Sequence, residues 1–187
     1  MLTPRRALLV RHCQSSGPDP EASLTSLGCH QADVLAIYLR HFNIDHLVSS
    51  PFRRALQTVE PFAYQAQLPI HVNDHFAERR LAVVPLANWL EQIRQSFVDF
   101  DHRALGGESS WEAQRRGRIA LEATFAQGHA TPVIVTHGNL LTLILHSIDP
   151  SVNFSTWEKL TNPDVYLIET DLHGRYSFQR VWEENFI

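Results

Sequence analysis

The sequence predicts an α/β protein: a mostly parallel sheet covered by helices and finished by a C-terminal antiparallel hairpin. Two observations predict it. Apolar runs of strand length recur at residues 7–10, 46–50, 69–72, 132–136 and 165–170, and helical patterns fill several of the gaps between them. That alternation is what a parallel sheet with crossover helices requires. The closing stretch DVYLIETDLHGRYSFQRVWEE then sets two strand-like arms around Leu172, His173 and Gly174, with period-two alternation on the second arm.

Taken in order, ALLV forms the first strand, and LTSLGCHQADVLAIYLRHF the first crossover helix. Its apolar residues Leu27, Val34, Leu35, Tyr38, Leu39 and Phe42 fall on one stripe, and Thr25 is placed to cap its start. After the strand HLVSS, SSPFRRALQTVE reads as a second helix start, with Ser50 as cap and Pro51 at the first helical position. Pro61 is expected to end or kink that helix. PIHV is a third strand. GGESSWEAQRRGRIALEATFAQG offers a glycine pair, a serine cap and a long helix that stops near Gly128. PVIVT and HGNLLTLILHS follow as strand and helix. Residues 79–105 carry the weakest pattern and are expected to cap the site.

The 187 residues fit one domain, 1–187, long enough to bury roughly 70% of the unfolded surface. Hydrophobic residues at 44% and charged residues at 19% exclude a disordered chain. With 16 basic and 20 acidic residues the formal charge is −4, so an extended nucleic-acid footprint is not expected and any anion site is small and focused. No apolar run approaches a membrane span, and Arg11 and His12 cut the first run short of a signal peptide's apolar region. Two cysteines, Cys13 and Cys29, make no disulfide framework and match no zinc spacing. These features point to a cytoplasmic protein without a membrane partner.

The stretch ALLVRHCQSSG brings arginine, histidine and cysteine together. A cysteine-dependent phosphatase loop would need an arginine six residues after Cys13, and Asp19 stands there, flanked by Pro18 and Pro20. A carboxylate repels a phosphate dianion, and prolines remove amides from the cradle. Cys13 therefore reads as a small filler beside the site. LLVRHC and VIVTHG, by contrast, are both strands that end in a histidine. In open parallel sheets the functional crevice lies beyond the carboxyl ends of the strands, so His12 and His137 are expected to face each other. The other nine histidines read as surface or satisfied core residues. His71 and His75 straddle a strand end, no His-Glu-x-x-His or Cys-x-x-Cys spacing occurs, and neither metal nor cofactor is expected.

VRHCQS, SSPFRRALQT, GGES and VTHG, in that order, resemble the histidine phosphatase superfamily, the phosphoglycerate-mutase-like fold, over about residues 7–140. The resemblance implies a three-layer α/β/α sandwich. It makes His12 the phosphorylated nucleophile, with Arg11 and Arg54 binding the phosphoryl oxygens and Arg53 facing solvent. His137, followed by Gly138 at a helix start, would stabilise the phosphoryl group, and Gln14 would line the entrance. The proton donor would be Glu78, with Glu108 as the alternative. Cys13 stands where the family has glycine, so alkylation there is expected to obstruct the site. After Glu78 the chain reads RRLAVVPLANW instead of the family's glycine and Trp-Glu-Gly pattern. The implied activity is metal-independent hydrolysis of a small phosphorylated metabolite through a phosphohistidine. Two alternatives stand beside it: mutase-type phosphoryl transfer, and a weakly active member that binds a phosphorylated ligand or protein partner.

Overall fold

The computed structural model describes residues 5–183, and the expected C-terminal arm runs one residue beyond them, to Glu184. Six strands form one sheet: β1 (Arg6–Arg11), β2 (His46–Ser49), β3 (Ile70–Val72), β4 (Pro132–Thr136), β5 (Asp164–Thr170) and β6 (Tyr176–Arg180). Their spatial order is β3-β2-β4-β1-β5-β6. The first four are parallel to one another, β5 runs antiparallel to β1, and β5 and β6 make the expected hairpin. Its turn closes through Asp171 and Arg175, with Gly174 at φ 77°.

The central strands are buried on both faces, which is why they read as continuous apolar runs. In β1, Leu8 and Val10 pack with α1 (Ser26–Leu39) and α2 (Arg53–Ala66). Ala7 and Leu9 pack on the other side with α4 (Ser110–Ala126) and α5 (Gly138–His146). The result is a three-layer α/β/α arrangement. Two further α-helices, α3 (Trp89–Val98) and α6 (Phe154–Glu158), and a 3-10 turn at Asp74–Phe76 accompany these layers. Among the described residues, no helix is long and apolar enough to cross a membrane.

Several local expectations hold for the reasons given. Thr25 accepts from the Gly28 amide, Ser109 forms a capping box with Glu112, and α4 stops before Gly128 at φ 80°. Others need correction. The inner face of α1 runs through Gly28, Gln31, Leu35 and Leu39, which leaves Leu27 at the rim, 46% exposed. Helix α2 begins at Arg53, not Pro51: the Ser50 hydroxyl accepts the Phe52 amide and also contacts His137, and Phe52, in extended backbone, is the cap. The helix also continues through Pro61: Val59, Phe62 and Ala63 are buried around the proline, and that burial outweighs one missing amide.

Residues 79–105 contain α3 and are tied down by Arg79, which is 4% exposed. Its guanidinium donates to Ser96 of α3, to Ser110 of α4 and to the carbonyls of His102 and Glu108. A buried arginine is tolerated here because protein oxygens take up its donors.

Candidate active site

The strand register builds the site. Arg11 pairs with Thr136 and Ser49 with Val135, so β1, β4 and β2 end at one level. Pairing continues one residue further, with the His12 amide on the Thr136 carbonyl at 3.0 Å and the Ser50 amide on the Val135 carbonyl at 2.9 Å. His12, His137 and Ser50 thus emerge together from adjacent strand ends. The two imidazole centroids lie 5.0 Å apart.

The hydrogen bonds of His12 define its protonation. Nδ1 lies 2.6 Å from the Cys13 carbonyl, which only accepts, so Nδ1 carries the proton. Nε2 receives the Arg54 Nε–H at 3.1 Å and therefore presents a lone pair. Burial pushes the His12 pKa down to about 3; the Cys13 bond opposes that shift, and the Arg54 and Arg11 cations add to it. A neutral imidazole with an unprotonated Nε2 is the form that can attack phosphorus once the Arg54 Nε–H turns from it to a phosphoryl oxygen.

Arg54 sits in the first turn of α2 and is 4% exposed. Besides His12 it donates to the carbonyls of Pro18 at 3.1 Å and Asp19 at 2.8 Å. The Pro-Asp-Pro stretch that spoils a cysteine-type loop thus orients an arginine through its backbone. Arg53 is exposed, as expected. Arg11 is anchored by the Leu160 and Thr161 carbonyls, while its buried Nε finds no partner among the described residues. Gly138 lies close to the site: a Cβ there would lie 3.2 Å from Arg11 Nε and 3.3 Å from Trp157 Nε1, so a larger residue would press on both side chains.

His137 is fully buried, and its pKa is held well below the ordinary value by burial and then by the neighbouring His12, Arg54, Arg116 and Arg11. Its Nε2 lies 2.6 Å from Ser50 Oγ. Its Nδ1 is buried without a partner among the described residues. Asn162 Nδ2 holds the His12 carbonyl at 2.6 Å.

The two carboxylates differ sharply. Glu78 accepts from the Asn139 amide at 3.1 Å and the Leu140 amide at 3.0 Å, so it lies at the start of α5 directly after His137. Glu108 accepts two bonds from Arg116, at 2.7 and 2.9 Å, and one from the Arg80 amide at 2.9 Å. Burial opposes its charge, but Arg116 and the Arg80 amide hold its pKa low. Glu108 is therefore occupied as a structural ion pair, and the alternative acid is set aside on that geometry.

Gln14 is exposed and turned toward α1, where its Oε1 accepts from Thr25 Oγ1 at 2.7 Å. Gly28 permits that approach, since a Cβ there would collide with the Gln14 carbonyl. Cys13 is fully buried, its amide donates to Thr58, and burial pushes its thiol up to about 12. The expectation that alkylation of Cys13 obstructs the site is thereby corrected: the thiol faces the core between sheet and α1–α2, out of a reagent's reach. Elsewhere, His46 stacks between His71 and His129, with centroids 4.6 and 3.9 Å away.

Sequence reasoning missed Ser50, Trp157 and Asn162. Ser50 ends a strand just as His12 and His137 do, so the strand-end argument could have found it. Trp157 and Asn162 carry no local signal and reach the site only through the return of the chain into β5.

The histidine phosphatase superfamily (branch 1) model matches residues 7–183, so the chain belongs to that family. It is 28% identical over 149 residues to Probable phosphoglycerate mutase GpmB of Proteus mirabilis, covering 75% of this chain and 68% of the relative. It is also 28% identical over 156 residues to a probable phosphatase of Schizosaccharomyces pombe, covering 75% of this chain but only 55% of that protein. Among solved structures, the fold matches the mycobacterial glucosyl-3-phosphoglycerate phosphatase with a TM-score of 0.78 at 19% identity, over 95% of this chain and 98% of the other. The phosphoserine phosphatase of Entamoeba histolytica, in complex with 3-phosphoglyceric acid, matches with a TM-score of 0.77 at 18% identity, over 98% and 100%.

Proposed function

We propose that this chain is a phosphomonoester hydrolase acting on a small phosphorylated metabolite through a phosphohistidine at His12 Nε2. The observation that carries the reading is the pinned, unprotonated Nε2, held between the Cys13 carbonyl on one side of its ring and Arg54 on the other. In the first displacement Nε2 forms the N–P bond as the ester P–O bond breaks, and Glu78 gives a proton to the departing oxygen. In the second, water transfers a proton to Glu78 while its oxygen displaces His12, which releases phosphate and restores the neutral imidazole. Arg11, Arg54 and His137 meet the charge that develops on the phosphoryl oxygens, so the chemistry needs no metal ion. Gly138 leaves room for Arg11, and Gln14 braces the loop after His12.

The same phosphohistidine serves a mutase, and a relative carries that name. What separates the two is whether water or a second hydroxyl takes the phosphoryl group. The test is turnover of 3-phosphoglycerate with a chelator present, quantifying free phosphate against isomerised product. Phosphate release that outpaces isomerisation supports the hydrolase. The reverse order refutes it, and turnover that the chelator abolishes refutes the metal-free mechanism.

A further inference from the structure

The two-nitrogen contact at Gly138 places an aromatic surface beside the phosphoryl site. Arg11 Nε and Trp157 Nε1 both lie within 3.3 Å of the point a Gly138 Cβ would occupy. The Trp157 indole, partly buried, is thus the surface next to the arginine on the α6 side. Trp89, at the start of α3 and 49% exposed, meets it at 6.3 Å between centroids and an interplanar angle of 74°. Phe154 stacks against Trp157 at 5.5 Å and 24°. The two indoles meet edge to face with Phe154 backing Trp157, and the exposed Trp89 is the part of this aromatic group most open to a ligand ring. Such offset and edge-to-face contacts are the favoured aromatic geometries.

Three of the arginines nearby are already engaged. Arg79 and Arg116 direct their donors to protein oxygens. Arg94 lies over the Phe154 ring at 4.7 Å, between Glu91 and Glu158. The negative face of an indole also repels a carboxylate.

We propose that Trp157 and Trp89 determine specificity, favouring phosphomonoesters whose alcohol carries a flat ring next to the ester oxygen. This rests on the hydrolase reading for its chemistry, but the wall is tested by binding alone. Titration calorimetry with benzylphosphonate and ethylphosphonate, which share a head group and cannot be hydrolysed, reads the aromatic group directly. Benzylphosphonate is expected to bind about tenfold tighter, the scale of one well-made aromatic contact. Trp89→Ala and Trp157→Ala are each expected to remove most of that ratio, whereas Trp157→Phe, which keeps a ring, retains it. Trp89 is half-exposed, so its variant tests the aromatic group even where Trp157→Ala does not fold. Equal affinities in the unmodified protein, or a ratio that survives in Trp89→Ala, overturn the proposal. Phosphate release from benzyl phosphate is measured separately: its failure would refute the hydrolase and leave the binding ratio to decide the wall.

Discussion

Ser50 Oγ lies 2.6 Å from His137 Nε2, joining the carboxyl ends of the adjacent strands β2 and β4. The hydroxyl oxygen accepts the Phe52 amide at 3.2 Å and, with a second lone pair, can pair with either tautomer of His137; the one in which Ser50 donates to Nε2 is predicted. That assignment puts the His137 proton on Nδ1, the buried nitrogen left for a phosphoryl oxygen. Ser50→Ala removes the director and leaves Nε2 unsatisfied, at a cost of about 1–3 kcal/mol, or roughly 5- to 150-fold in rate. The expected signature is a fall in kcat with KM little changed, recovered by Ser50→Thr. Unaltered kcat in Ser50→Ala would show that the tautomer is set elsewhere.

Glu78 holds the start of α5 and is also the proposed acid, and the leaving group distinguishes these roles. Glu78→Gln keeps an acceptor oxygen for only one of the Asn139 and Leu140 amides, which bond different carboxylate oxygens, and has no proton to transfer. Hydrolysis of an alkyl phosphate should fall about 100-fold or more, within the usual range for general acid catalysis. Hydrolysis of a nitrophenyl phosphate, whose oxygen departs without protonation, should fall far less. Equal losses for both substrates would mean that Glu78 acts only as a cap.

Cys13 and Cys29 differ in reach. Cys29 is exposed on α1, whereas Cys13 is buried with its thiol pushed up to about 12, so it offers almost no thiolate at neutral pH. Native protein treated with iodoacetamide should take one label, on Cys29, and keep its activity; Cys29→Ser should take none until unfolded. Labelling of Cys13 in the folded protein with loss of turnover would contradict its burial.

The sheet was legible because its strands announce themselves twice, as apolar runs and as partners of intervening helical patterns. The site was legible where chemistry coincides with a strand end, as at His12 and His137. It was obscured where one residue type serves two purposes. Ser50 followed by proline looks like a helix cap, yet its hydroxyl is drawn to His137, and only the parallel register of β2 and β4 brings that partner within reach. The sequence favours Glu78 and keeps Glu108 as the alternative without a contact to separate them. Arg116, eight residues beyond Glu108 and about two α4 turns past its cap, separates them by pairing with only one carboxylate. Residues 79–105 stayed unreadable because α3 is held by the buried Arg79, whose partners span three segments.

The most direct test of the account is rapid-quench turnover of a ³²P-labelled phosphomonoester, with the label mapped on the protein. The account predicts an acid-labile, alkali-stable phosphoenzyme that forms faster than it decays, carries phosphorus on Nε2 of His12 and is absent from His12→Ala. Label on Cys13, or a His12→Ala protein that still releases phosphate at a near-normal rate, would contradict it.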